Sequence, residues 1–582
     1  MNKKILDYLY EIGVLTTEQA AKLLKEAEIG SKTVRELLLE GSAATEEQVL
    51  EALSAVSGMK VVRLYEKSIP MEVRQLVRPE VLRQHTMIPF EFDAQNSGTL
   101  CVAFCEPLNI KARDVAAISS KCRVAPFLAT ASDILVAIDR YYGTDEVQVA
   151  ADTYVSENLE DVSLDEQIMR EEVNSSPVVV MVSSMVEQAV RQRASDIHVE
   201  AGPDRVRVRS RVDGILYTTA TYDLRLLPAI VARIKIISGL DISEKRKPQD
   251  GRFSVTVDRR AYDVRVSILP TVYGEKCVMR LAQQKSLSRS KQSLGLSPDE
   301  VKKFDTILKK PNGIVLVTGP TGSGKSTTLY TALNELNSEK VNIVTVEDPV
   351  EANIEGINQV QVNVKAEMTF ANALRSILRQ DPDIIMIGEI RDGETASIAV
   401  QASITGHLVV STLHTNDTAS SISRLLDMGI ESYLLADAIT GIIAQRLVRR
   451  LCPNCKHRRK IRDYEAEYLK LPRSQWETTT LCEPVGCQRC NGTGYYDRIG
   501  VYEIMEITPE LRGLISRHSS TSELRQTAIR GGMRTMSESA RRLVLDGTTS
   551  LSELQRINIE DINENCESAD TPIEQSEYGG AE

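Results

Sequence analysis

The loop Gly319-Pro320-Thr321-Gly322-Ser323-Gly324-Lys325-Ser326 carries the residue types that hold a nucleotide's phosphates. Its glycines let backbone N–H groups turn inward, Lys325 puts a cation near the β and γ oxygens, and the Ser326 hydroxyl is a ligand for Mg²⁺. Thr327 completes the nucleotide-binding set, so ATP and Mg²⁺ are the expected cofactors. Hydrolysis also needs one acid near the metal and one to polarise the attacking water, both at the ends of neighbouring strands. Two places qualify: the β-branched run Val341 to Val346, ending in Glu347-Asp348-Pro349, and the apolar run Ile384 to Ile387, ending in Gly388-Glu389. Glu347 and Glu389 are therefore read as catalytic beside Lys325, against the alternative of charged strand-end turns. His407 and His414 flank a third apolar stretch, Leu408 to Leu413, and the residues alone leave γ-phosphate sensing and strand capping equally open.

A second constellation is metal-binding. Of the chain's ten cysteines, Cys452-Pro453-Asn454-Cys455 and Cys487-Gln488-Arg489-Cys490 form two CxxC knuckles separated by 31 residues. That spacing suits a tetrahedral four-cysteine zinc site. Four thiolates leave no position for water, so the metal would hold an excursion of the fold. Cys482 is a spare thiol in the same stretch.

The loop needs a strand before it and a helix after it, and apolar Ile314 to Val317 and helix-compatible Thr327 to Leu336 provide both. A RecA-like α/β motor core is placed at 296–451, followed by the zinc-binding insertion at 452–498 and a C-terminal helical part at 499–560. Upstream, 175–284 reads as an α+β domain of one helix and several short strands, joined to the core by the polar stretch Ser286 to Ser293. Residues 1–142 read as an N-terminal α+β domain. In it, Leu15-Thr16-Thr17-Glu18-Gln19 and Ala44-Thr45-Glu46-Glu47-Gln48 repeat a capped helix start, and Thr86 to Phe104 alternates like strands. The acidic segment 143–174 reads as a linker and 566–582 as a disordered tail.

A chain of 582 residues exceeds one hydrophobic core. Its apolar runs fall short of the roughly 20 residues that span a bilayer, and the N-terminus lacks a secretory leader pattern, so a cytoplasmic protein is expected. A net charge of −11 disfavours direct nucleic-acid binding as the main activity.

The motifs resemble the secretion and pilus assembly ATPases, which include the type II secretion motor and the type IV pilus extension motor. Besides the phosphate loop, the family's Asp box matches Ile343 to Glu351, its Walker B Asp381 to Asp392, and its His box Gly406 to Asp417. Arg193 to Glu200, Arg211 to Gly214 and Gln249 to Arg252 match the domain before the motor. The resemblance implies that Glu347 is the general base for water, that Glu389 organises Mg²⁺, and that His414 couples nucleotide state to conformation. Beside that resemblance, Arg252 and Arg265 are the arginine-finger candidates, since charge developing on the γ-phosphate calls for a planar cation that arrives on closure.

Residues 1–142 are similar to the family's N-terminal docking domain, which in some members binds cyclic di-GMP. That version carries an Arg-Leu-Gly start and a closing Gln in each of two motifs. Thr33-Val34-Arg35-Glu36-Leu37 and Ser54-Ala55-Val56-Ser57 depart from it, so ordinary helix packing is expected. By resemblance, the chain is a homo-hexameric ATPase, peripheral to the inner face of the cell membrane. It would assemble a type IV pilus or type II secretion pseudopilus through an inner-membrane platform protein. The alternative from another class is a DNA-uptake or conjugation-type translocating ATPase.

Overall fold

The computed structural model describes residues 2–29, 34–40, 43–93, 96, 98–107, 109–143, 176–258, 260–283 and 290–558. The linker read at 143–174, apart from Gly143, the tail at 566–582 and residues 286–289 of the stretch 286–293 lie outside them. The chain divides into two units, Met1–Gln283 and Gln284–Glu582.

The first unit opens on four helices, Asn2–Glu11, Thr17–Ile29, Val34–Glu40 and Glu46–Ser57. Thr16 and Gln19 cap each other reciprocally at 2.9 and 3.3 Å. Thr45 and Gln48 repeat the arrangement at 2.9 and 3.2 Å, so the sequence repeat is a repeat of capping boxes. Leu6, Leu9, Leu38 and Leu53 form the core beneath them. Next come β1 (Met87–Phe92), β2 (Thr99–Phe104) and β3 (Arg123–Leu128), in the order β1-β2-β3. The expected alternation fails in β2, where Leu100 to Phe104 are all buried. As the central strand of a covered sheet, it has no solvent face to spend on polar residues.

The rest of this unit is a six-stranded antiparallel sheet: β4 (Ala194–Ala201), β5 (Arg205–Val212), β6 (Ile215–Asp223), β7 (Gln249–Val257), β8 (Arg260–Thr271) and β9 (Gly274–Gln283), in the order β6-β5-β4-β9-β8-β7. Along β5, Val206 and Val208 are buried while Arg205 and Arg207 are exposed, the period of two that a one-sided sheet demands. The helices Ser176–Arg191 and Leu227–Ile237 cover the apolar face. The sequence reading of one helix and several short strands is corrected here to two helices and strands of 8 to 12 residues. Leu227–Ile237 escaped because Ala229 to Ala232 are buried all round, leaving no polar stripe for a helical period to show.

The second unit contains a seven-stranded sheet: β10 (Gly313–Thr318), β11 (Ile343–Glu347), β12 (Asn358–Gln361), β13 (Ile384–Ile387), β14 (Leu408–Leu413), β15 (Ile439–Leu451) and, beyond an excursion, β18 (Tyr495–Glu506). The order is β12-β11-β13-β14-β10-β15-β18, parallel throughout except for the antiparallel β15–β18 pair. Every residue of β10, β11, β13 and β14 is buried, as strands covered on both faces by crossover helices must be. Because β14 lies between β10 and β13, the mouth of the sheet opens where the phosphate loop and the acid-bearing strands end. The stretch read as helical from 499 opens with strand instead: β18 closes the sheet edge before the helices Pro509–Ser516, Thr521–Arg530 and Met536–Leu545. The excursion holds the hairpin β16 (His457–Lys460) and β17 (Thr480–Glu483). Among the described residues no helix is long and apolar enough to cross a membrane.

Candidate functional site

The phosphate loop is held by sterics. Gly319 has φ +144°, and a Cβ there would come within 2.3 Å of the Gln445 carbonyl and 2.7 Å of Ser323 Oγ. From β15, Gln445 Nε2 donates to the Ser323 carbonyl at 2.8 Å, a buttress the sequence did not signal, since a Gln inside a strand reads as an ordinary polar face. The helix Lys325–Leu336 begins on the loop, so Lys325, Ser326 and Thr327 occupy its first turn, where free N–H groups favour phosphate. Lys325 Nζ donates to the carbonyls of Gly319 at 2.7 Å and Pro320 at 3.1 Å. Burial lowers its pKa to about 8, while the charge of Glu389 acts in the opposite direction.

Glu347 closes β11 and is 3% exposed. Its Oε1 accepts from Thr345 Oγ1 at 2.6 Å and Gln359 Nε2 at 3.0 Å, and its Oε2 accepts from Tyr330 Oη at 2.5 Å. Gly388 approaches closely: a Cβ there would meet the Glu347 Cα and the Val346 carbonyl, each at 3.3 Å. Sequence reasoning missed Tyr330 and Gln359. Tyr330 sits in the apolar stripe of a helix and reads as core; only its polar end, which a buried Tyr must satisfy, pointed elsewhere.

Glu389 follows β13, with its side chain 12% exposed. It pairs with Arg391 Nη2 at 2.5 Å through Oε1 and with His414 Nε2 at 3.2 Å through Oε2. The structure separates the two histidines. His414 faces Glu389, whereas His407 Nδ1 lies 2.9 Å from the Ala402 carbonyl and closes a helix end. Lys325, Ser326, Glu389 and His414 thus gather at one end of the sheet, while Glu347 on the neighbouring strand turns into its own polar niche. Arg252 and Arg265 belong to the first unit, where they lie opposite each other on β7 and β8. Arg252 is exposed, and Arg265 Nε is 3.7 Å from Asp263.

The four cysteines converge. Cys452, Cys455, Cys487 and Cys490 place their sulfurs within 4.8 Å of one another, with closest separations of 3.7 and 3.8 Å. Tetrahedral Zn–S bonds of about 2.3 Å require sulfurs about 3.8 Å apart, so the set fits zinc. Donors surround it as thiolates require: the Cys487 and Gly494 N–H groups each lie 3.1 Å from Cys490 Sγ. Burial pushes the Cys455 thiol up to about 12. Burial also raises Cys487, but donors from Asn454 and the Cys490 and Arg489 backbone outweigh it and bring that thiol down to about 7. Cys482 lies outside the cluster, packed with Leu451 and Tyr495.

A strand–loop–helix phosphate cradle, acids at two adjacent strand ends and a strand interposed between β10 and β13 define a RecA-like P-loop NTPase with a four-cysteine excursion. Residues 171–556 match the family model for type II/IV secretion system proteins, and residues 57–148 match the MshEN domain. The type IV pilus assembly ATPase PilB of Myxococcus xanthus is 40% identical over 95% of this chain and 98% of its own. PilB of Acinetobacter baylyi is 37% identical over 95% and 96%, and the putative type II secretion system protein E of Escherichia coli is 45% identical over 70% and 83%. The chain belongs to the type II/IV secretion system protein family.

Proposed function

We propose that this chain is a homo-hexameric, Mg²⁺-dependent ATPase that couples ATP hydrolysis to assembly of a type IV pilus or type II pseudopilus. It would work in the cytoplasm, against an inner-membrane platform protein. The observation that carries the reading is the gathering of Lys325, Ser326, Glu389 and His414 at one sheet end, in a chain aligned along 98% of PilB from Myxococcus xanthus. That full-length likeness supports the pilus over the pseudopilus.

In this mechanism the loop N–H groups and Lys325 bind the β- and γ-phosphates, and Lys325 exchanges its carbonyl partners for phosphate oxygens. Mg²⁺, held by Ser326 and organised by Glu389, would neutralise charge on the phosphate oxygens. Glu347 takes the proton of the attacking water, and Arg252 and Arg265 stabilise the charge that develops. His414, on Glu389, passes the nucleotide state to the helix Thr418–Asp427 that follows it. The four cysteines hold zinc in a structural role. Residues 1–142 form the docking domain, with helix packing in place of cyclic di-GMP binding.

The test is steady-state ATP hydrolysis across a size-exclusion profile with light scattering, for wild type and Lys325→Ala, with and without DNA. Activity confined to a Lys325-dependent hexamer and indifferent to DNA is the expected result. Stimulation by DNA would instead support the translocating ATPase.

A further inference from the structure

The hydroxyl of Tyr330 is a junction between three parts of the motor. It donates to Glu347 Oε2 at 2.5 Å. It also receives the backbone N–H groups of Glu351 at 3.3 Å and Ala352 at 3.4 Å, from the loop that follows Glu347. Its ring lies in the helix Lys325–Leu336, five residues after the lysine that binds phosphate, or about 7.5 Å along the helix axis. On the other side Gln359, opposite Thr345 on the edge strand β12, donates to both Glu347 Oε1 and the Ala352 carbonyl at 3.0 Å. Burial, reinforced by the Glu347 carboxylate, pushes the Tyr330 phenol far above its ordinary range, so it keeps its proton and serves as a donor.

A general base must offer the attacking water a lone pair on the side of the γ-phosphate. A carboxylate has about four lone-pair sites, and three protein donors already engage Glu347, which is nearly inaccessible. The acid whose charge reaches Lys325 is Glu389. Glu347 as it stands is therefore a held base. The element that holds it is the phosphate-binding helix itself.

We propose that Tyr330 is a positioning residue that latches Glu347 in a resting orientation, released when phosphate draws Lys325 off the Gly319 and Pro320 carbonyls and shifts the helix they share. Once released, Glu347 accepts the proton of the water whose oxygen bonds to the γ-phosphorus, while the β–γ bridging oxygen leaves with ADP. Tyr330 exchanges no proton in the step. The inference rests on the reading of Glu347 as the base.

Tyr330→Phe tests it in the full-length chain, because the ring keeps its place in the core and only the hydroxyl is lost. Basal kcat should rise about three- to tenfold, with the KM and Kd for ATP within about twofold of wild type, and the lost hydroxyl should lower the melting temperature only modestly. Gln359→Met, which removes one donor from Glu347 Oε1, should raise kcat about twofold in the same way. Glu347→Gln is assayed in parallel. Should Glu347→Gln turn over at the wild-type rate, the base assignment falls and the latch with it. If Glu347→Gln is inactive while Tyr330→Phe and Gln359→Met hydrolyse no faster than wild type, the latch alone is overturned and the base assignment stands.

Discussion

Glu347 and Glu389 end neighbouring parallel strands, yet their surroundings are opposite in kind. Glu347 is buried among neutral donors, a hydroxyl from Tyr330, another from Thr345 and an amide from Gln359. Glu389 is surrounded by cations and a histidine: Arg391, His414 and, through its field, Lys325. Position on the sheet puts both carboxylates at the same strand ends, and the neighbours set them apart. Neutral donors keep a charge in place without neutralising it, which suits a base that must later accept a proton. Cations already balance Glu389, which suits the metal-organising role proposed for it.

Glu389→Gln should perturb the site most among the changes that spare Glu347. It should raise the Mg²⁺ concentration needed for half-maximal hydrolysis about tenfold and lower kcat about a hundredfold. It should also move a pH break. Lys325, at about pKa 8, is cationic below that pH, so ATP affinity should be flat below pH 8 and weaken above it. Removing Glu389's charge, which raises this pKa, should shift the break to lower pH, as fluorescent-nucleotide titrations would show; Glu347→Gln should leave it in place. The empty protein carries the opposite sign. A lysine depressed from its unfolded value costs stability below pH 8, and that cost lifts as pH rises toward the ordinary lysine range.

Glu503 sharpens the comparison from outside the site. It is 1% exposed on β18 and, like Glu347, accepts neutral donors: the Thr418 N–H and hydroxyl at 3.1 and 2.6 Å, and the Met536 N–H at 3.2 Å. It thereby joins the starts of two helices. Glu503→Gln should keep turnover within about threefold, whereas Glu503→Ala should cost about 2 kcal/mol in denaturant unfolding of the motor unit. A collapse of turnover in Glu503→Gln would mean that burial among neutral donors does not mark Glu347 apart.

The smallest effect on the two acids belongs to the zinc site. Cys455→Ser should abolish zinc binding and expose residues 452–498 to limited proteolysis, since metal supplies about 10 kcal/mol or more to the folding of such sites. The Lys325 pH break should not move. In the wild type, zinc affinity should climb with pH, because Cys455 must lose a proton that burial holds up to about 12.

The phosphate loop, both acids and all four cysteines were legible in the sequence because each is carried by a short contiguous stretch whose residue types have few other uses together. The niche around Glu347 was not. Tyr330, Thr345 and Gln359 are separate in the chain, and each has an unremarkable local reading as helix core, buried strand and edge strand. Only the register of β12 on β11 brings Gln359 to the acid. The closing strand β18 was hidden for a related reason. It returns to β15 after the long cysteine excursion, and local patterning carries no record of that pairing.

The central claim is that Glu347, held aside from the phosphate end, is the base on which turnover depends. Its most direct test loads Glu347→Gln and wild type with γ-labelled ATP, starts a single turnover with Mg²⁺, and follows the label. The account predicts that the variant binds ATP with wild-type affinity and keeps it intact while the wild type releases labelled phosphate. Phosphate release by the variant at the wild-type rate would contradict it.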